Sequence, residues 1–260
     1  MTRVAIVGHG LIGGSIALTL AERSPAVTVT TLDRGDDLGR VAGAGLVVLA
    51  TPVAETIAIL RALPAHVSPE TLITDTGSTK AAIVEAAAGL RFIGGHPIAG
   101  SAASGRGAAQ PGLFAGHPWI LTPLADALPA DLVRLRAFVS GLGGSVRLLD
   151  PGEHDRLFAE ISHVPQLVVS ALMEVIGSRA GAAGLALAGA GLRDTTRLAS
   201  SPPGIWHDIV RTNHAHVAAS LDALIAALTR LRDDRSGHEL TAVFERAAAW
   251  KGTLDAEDRP

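Results

Sequence analysis

The stretch Ile93-Gly94-Gly95-His96-Pro97-Ile98-Ala99-Gly100-Ser101 sets a single histidine among glycines and directly before a proline. Glycine lets backbone approach a ligand closely, and proline fixes the angle of the chain that follows. An imidazole held on such a turn is suited to take a proton, because its unperturbed pKa lies near ambient pH. Upstream, Gly8-His9-Gly10-Leu11-Ile12-Gly13 is a G-x-G-x-x-G between a strand-like run and a helix-like one. In that context Gly8 permits the tight turn, Gly10 lets backbone approach a pyrophosphate, and Gly13 allows close helix–strand packing. The helix start at Leu11 and Ile12 offers unpaired N–H groups to the phosphates. Asp33, twenty residues beyond Gly13, falls where a carboxylate meets the ribose hydroxyls of NAD. Arg34 beside it could instead meet the 2′-phosphate of NADP. A proton acceptor facing a nicotinamide is the pairing that oxidation of an alcohol requires.

These residues need a scaffold that presents them at one edge. The first half alternates apolar runs at 3–7, 27–32, 46–50, 72–74, 91–93, 119–121 and 145–149 with helix-like stretches at 11–21, 53–63, 79–88 and 130–140. Such alternation predicts a Rossmann-like α/β domain over about 1–150, a parallel sheet with helices on both faces. Ligands of such sheets lie at the carboxyl ends of the strands. Thr51 and Pro52 follow the third strand there, and Ser78 follows the next with a hydrogen-bonding hydroxyl. After Asp150-Pro151-Gly152 the pattern becomes helical, at 153–177, 206–232 and 238–250, which predicts an all-α domain over 151–260 with a frayed tail from 252.

Composition narrows the function further. A net charge of −3 shows no footprint for nucleic acid or an anionic membrane. Cysteine is absent, so no thiolate metal site or thiol nucleophile is available, and a cytoplasmic location is expected. No run reads as a membrane span or a signal peptide. His214 and His216 sit two apart and point to different helix faces, so no metal site is expected.

The chain resembles the TyrA family, the prephenate and arogenate dehydrogenases of tyrosine synthesis. The resemblance is carried by GHGLIGGS at 8–15, LATPV at 49–53, TDTGSTK at 74–80, GGHPIAGS at 94–101, HD at 154–155, SHVP at 162–165 and RDTTRLASS at 193–201, with Trp206 and Asn213 behind. It implies that His96 is catalytic, that Ser78 positions it and the reacting ring, and that Arg197 binds a substrate carboxylate. Ser101, His163, Gln166 and Asp194 join Arg197 as substrate-binding candidates. Gln166 stands where several relatives carry a second histidine, and Ala102 where some prephenate-using relatives carry a glutamate.

The implied reaction suits these residue types. A cyclohexadienol with a 4-hydroxyl and a 1-carboxylate gives hydride from C4 to NAD or NADP and its hydroxyl proton to His96. Loss of carbon dioxide from C1 then restores aromaticity, so no metal is needed. Arginine suits the carboxylate through its planar two-donor fork. The resemblance thus implies a prephenate dehydrogenase acting as a homodimer through the helical domain, with arogenate dehydrogenase as the alternative. Dehydrogenases of the β-hydroxyacid type share the two-domain plan but rely on a lysine in the helical domain, and residues 151–250 contain none. A non-catalytic NAD-binding regulator is the remaining alternative, and it has no need of a proton acceptor at His96.

Overall fold

The computed structural model describes residues 2–99 and 105–257. Strands β1 (Arg3–Val7), β2 (Thr28–Leu32), β3 (Leu46–Leu49) and β4 (Leu72–Asp75) form an all-parallel sheet in the order β2-β1-β3-β4. Parallel sheets are covered on both faces, which is why β3 reads Leu-Val-Val-Leu and every one of its side chains is fully buried. Side chains alternate between the two faces. Ile6, Val48 and Leu72 pack with Ile16 and Leu20 of helix α1 (Leu11–Arg23). Ala5, Val47 and Ile73 pack on the other side with Leu60 of α2 (Val53–Ala62) and Ile83 of α3 (Ala81–Ala86). The register sets Val7 beside Leu32 and Leu49, and Leu49 beside Asp75, so the four carboxyl ends line one edge.

A second sheet holds β5 (Gly94–Pro97), β6 (Pro118–Thr122) and β7 (Ser145–Leu148), with α4 (Pro129–Gly141) crossing between β6 and β7. One strand departs from the parallel arrangement, because β5 runs antiparallel to β6. Residues 91–93 are not a strand; Phe92 makes one isolated bridge to Ile73, and the strand begins at Gly94. His96 therefore lies on a strand, opposite Ile120, and not on a turn. The glycines before it serve close packing. A Cβ on Gly94 would meet Thr122 Oγ1 at 2.3 Å, and one on Gly95 would meet the Asp75 carbonyl oxygen at 2.5 Å.

Beyond residue 150 the described residues are helical. Helix α5 (Pro151–Phe158) starts on an Asp150 cap, whose carboxylate accepts from Gly152 N (2.8 Å) and Glu153 N (3.2 Å). A π turn over Ala159–His163 joins it to α6 (Val164–Leu185), whose helical path is broken at Gly181 (φ +61°), so the helix expected at 153–177 carries a widened turn and runs on only as far as that kink before resuming. Then follow α7 (Ala190–Thr195), a 3₁₀ turn (Arg197–Ser200), α8 (Gly204–Thr212), α9 (His214–Asp233) and α10 (His238–Glu257). The stretch expected unbroken over 206–232 divides at Asn213, and the expected tail from 252 is helical as far as Glu257.

The chain forms two compact units, residues 1–214 and 215–260. In the second, Asp234 caps the α9–α10 turn, accepting from Gly237 N and Leu240 N at 2.9 Å each. Contrary to the sequence expectation, one helical run, Pro151–Leu185, is long and apolar enough by length and composition to cross a membrane.

Candidate active site

At the carboxyl edge of the parallel sheet a cleft of about 420 Å³ is lined by Gly8, Gly10, Asp33, Arg34, Thr51 and Pro52, among others. Gly8 has φ +99°, a left-handed conformation that favours glycine, and a Cβ there would meet the Ala50 carbonyl oxygen at 2.3 Å. Gly13 must be glycine for packing, since its Cβ would meet the Gly8 carbonyl oxygen at 1.9 Å. Gly10 differs: a Cβ there meets nothing within 4 Å and would project into open space. A position that is free of protein contact, yet glycine, on the lining of a cleft at a helix N-terminus fits close approach of a phosphate group. Leu11 and Ile12 pack their partly buried side chains against the core, and their main chain forms the start of α1. Asp33 accepts from Arg34 N at 2.8 Å, while the Arg34 guanidinium pairs with Glu55 at 3.2 Å and is largely exposed.

Next to this edge lies a buried polar cluster. Asp75, at the end of β4, accepts from Gly77 N (2.7 Å) and Gly95 N (3.0 Å) and pairs with the Lys80 ammonium. Lys80 also donates to the Gly95 carbonyl at 2.7 Å, so one buried ion pair ties the β4 loop to β5 just before His96. His96 Nδ1 lies 2.9 Å from His154 Nε2. His154 Nδ1 lies 2.8 Å from Asp155 Oδ1, and Asp155 accepts from the main-chain N–H groups of Lys80 (2.7 Å) and Ala81 (2.9 Å). The Phe158 ring stacks on His154 at 4.4 Å and packs against His96 at 4.8 Å.

These surroundings set the charges. Burial, aided by the nearby His154, Lys80 and His163, holds His96 well below the usual histidine range. Burial likewise lowers His154, against the opposing pull of Asp155. For Asp155 burial alone would raise the pKa, but hydrogen bonds from His154, Ala81 and Lys80 outweigh it and the carboxyl is lowered. Burial takes His163 down to about 4. Lys80 is lowered by burial, with Asp75 opposing.

Ser78 sits in the loop between β4 and α3, partly exposed, with its backbone near His163. His163 is buried on the π turn, and its Nδ1 lies 3.3 Å from Asn213 Nδ2. Asn213 also donates to the Asp155 carbonyl at 2.6 Å, joining α8 to α5. Gln166 is buried too, but its amide serves the protein: Nε2 donates to the Leu198 carbonyl (2.8 Å) and Oε1 accepts from Ser201 (3.2 Å). Those contacts pin the turn that begins at Arg197, and a hollow of about 600 Å³ lined by Gln166, Ser201 and Trp206 lies beside it. Arg197 and Asp194 are exposed, and the end of α7 at Thr195 separates Arg193 from Arg197, so the two do not share a helix face. Ser101 lies outside the described residues.

The structure thus brings His96, Ser78 and His163 into one neighbourhood and leaves Asp194 and Arg197 on the surface. Sequence reasoning gave no role to His154, Asp155, Asp75, Lys80 or Asn213. The HD pair at 154–155 and the lysine closing TDTGSTK were the available signals.

A parallel-sheet nucleotide-binding domain with a neutral histidine beside its ligand edge, followed by a helical domain, defines a dinucleotide-dependent oxidoreductase. The particular family follows from comparison. Residues 9–148 match the model for the prephenate dehydrogenase nucleotide-binding domain, and residues 150–242 that for the prephenate dehydrogenase dimerization domain. The chain belongs to the prephenate dehydrogenase family. The prephenate dehydrogenase of Bacillus subtilis (strain 168) is 33% identical over 96% of this chain and 76% of its own length. The crystal structure of prephenate dehydrogenase from A. aeolicus with hydroxyphenyl propionate and NAD+ superposes with a TM-score of 0.88 at 26% identity, covering 98% of each chain. That of Synechocystis arogenate dehydrogenase gives a TM-score of 0.82 at 29% identity, covering 97% of this chain and 99% of its own.

Proposed function

We propose that this protein oxidises and decarboxylates prephenate to 4-hydroxyphenylpyruvate with NAD, with His96 as the general base. The observation that carries the reading is the state of His96: one ring nitrogen is engaged by His154 and the ring is held neutral beside the carboxyl edge of a nucleotide-binding sheet. A neutral imidazole with one occupied nitrogen has the other available to accept a proton.

The residues divide the work as follows. Gly8, Gly10 and the α1 N-terminus would hold the pyrophosphate and Asp33 the adenosine ribose, while Thr51 and Pro52 flank the cleft. A nicotinamide dinucleotide bound there supplies the hydride acceptor. His96 takes the proton of the C4 hydroxyl as the C4 hydride departs. The C1 carboxylate then leaves as carbon dioxide and its bonding electrons restore the ring. Arg197 meets a carboxylate as a two-donor fork, with Gln166 fixing its turn and with Ser78, His163 and Asp194 as further substrate-binding candidates. The engagement of Arg34 by Glu55 supports NAD, because it occupies the cation that a 2′-phosphate would need.

The two family models meet between residues 148 and 150, which supports a nucleotide-binding domain over 1–150 and a helical domain over 151–260. Apolar side chains left exposed on the helical half, among them Val175, Leu187, Ile225 and Phe244, support a homodimer formed through it, and account for the apolar run at 151–185 without a membrane.

The testing experiment is the initial rate at 340 nm with prephenate and with L-arogenate, each with NAD and with NADP. Turnover of prephenate with NAD supports the proposal, and preference for arogenate moves the assignment to arogenate dehydrogenase. No turnover by folded, NAD-binding protein overturns it.

A further inference from the structure

The chain from Asp155 through His154 to His96 has a direction that the donor and acceptor chemistry decides. Asp155 already accepts two main-chain N–H groups and its pKa is lowered, so it is an ionised acceptor. His154 Nδ1, 2.8 Å away, must therefore carry a proton and donate it. His154 is buried and neutral, so its Nε2 is bare and accepts. His96 Nδ1, 2.9 Å from that bare nitrogen, must in turn be the donor. The proton of His96 is thereby assigned to Nδ1, and Nε2 is left with a free lone pair.

We propose that His154 and Asp155 are positioning residues for the reaction, fixing the tautomer and orientation of His96 so that Nε2 is the base. The proposal rests on the reading of His96 as general base. Phe158, stacked on His154 and packed on His96, holds the two rings in this arrangement. Other charged or titratable groups facing the pair are Lys80, Asp75 and His163. The chain also gives the arriving charge a place to go. As Nε2 of His96 gains the hydroxyl proton, the Nδ1 proton can shift to His154 Nε2. One N–H bond forms and one breaks on His96, one forms on His154, and the positive charge comes to rest against the Asp155 carboxylate. An imidazolium in direct hydrogen-bond contact with a buried carboxylate is favoured in a site of low dielectric over one a full ring farther away.

The test combines ¹⁵N-histidine spectra of the whole protein with kinetics of His154→Leu, His154→Gln and His96→Ala. Leucine keeps the apolar contact with Phe158 and removes the acceptor, whereas glutamine restores an acceptor oxygen that cannot take up the proton. The expected result is an Nδ1–H tautomer for His96 in the natural protein and in His154→Gln, lost in His154→Leu. In His154→Leu, kcat should fall by at least about 10-fold, bounded by the ~10²–10⁴-fold that loss of a general base costs, with KM for NAD unchanged. His154→Gln should recover part of that loss, and the acid limb of its kcat/KM profile should shift from that of the natural protein. An Nε2–H tautomer for His96 in the natural protein overturns the proposal, and that measurement needs no variant to fold. So does a His154→Leu enzyme within twofold of natural kcat alongside an inactive His96→Ala. Full activity of His96→Ala would instead sink the assignment of the base itself.

Discussion

His96 and His154 stand 58 residues apart in the chain, yet Nδ1 of the first lies 2.9 Å from Nε2 of the second. One comes from an antiparallel strand and the other from the first helix after the sheet. Lys80 and Ala81, through their main-chain N–H groups on Asp155, fix where that helix docks. His96 is therefore positioned by both halves of the 1–214 unit.

Replacing His96 should affect kcat far more than binding. His96→Ala is expected to lower kcat by about 10²–10⁴-fold with KM for NAD little changed, measured by initial rates. Because burial lowers the His96 pKa, the natural enzyme should lose kcat/KM only at pH below the 6.5 of a free imidazole. An acid limb at or above that value would contradict a ring held neutral by its surroundings.

The two cleft glycines should fail differently. A Cβ on Gly13 meets the Gly8 carbonyl oxygen at 1.9 Å, so Gly13→Ala should destabilise the folded protein. Gly10 has open space at that position, so Gly10→Val should keep its Tm and lose NAD affinity. Calorimetric titration with NAD beside thermal melts separates the two. Undiminished NAD binding by Gly10→Val would remove the glycine from the phosphate site.

The buried Lys80–Asp75 pair should be costly to break from one side. Lys80→Met leaves Asp75 without its cation and should destabilise by about 3–5 kcal/mol in urea unfolding. A loss below about 1 kcal/mol would mean that the N–H donors of Gly77 and Gly95 suffice for the carboxylate.

Stability should fall in mild acid. His163 has a folded pKa of about 4 against an ordinary 6.5. Between those values the unfolded chain binds a proton that the folded one does not. Stability therefore declines as pH drops through that window, by at most about 1.4 kcal/mol per pH unit from this group. His163→Gln should flatten the slope of Tm against pH between 6.5 and 4. His154 and His96, shifted in the same direction, keep it from vanishing. An unchanged slope would show that His163 is not buried in its neutral form.

Gln166 should matter through Arg197. Its amide holds the Leu198 carbonyl and Ser201, so Gln166→Leu should raise KM for the carboxylate substrate about tenfold while kcat stays within about threefold. A matching fall in kcat would instead place Gln166 at the reacting ring.

The parallel sheet, its glycine turn and the switch to helix at Pro151 were legible because each is a local pattern: apolar runs at strand length, a G-x-G-x-x-G between strand and helix, and 3.6-residue periodicity. The antiparallel turn of β5 was not legible. Its glycines look like a loop, and only the approach of Thr122 and of the Asp75 backbone shows why they must be small within a strand. Nor was the π turn. Nine residues separate His154 from His163, which on a regular α-helix sets them about 180° apart. The widened turn at Ala159–His163 winds less per residue and changes their relation, and nothing in Ala-Glu-Ile-Ser-His announces it.

The sequence by itself determined which residues could do chemistry, since His96, Ser78, Asp33 and the glycines are identities that no fold can supply. It also determined the family, through motifs spread over nearly the whole chain. Tertiary structure alone decided which nitrogen of His96 is engaged, that Gln166 serves the turn of Arg197, and that Lys80 is buried against Asp75. Those outcomes depend on contacts between residues 5 to 58 positions apart, and hydrogen-bond direction and burial exist only once such residues have met.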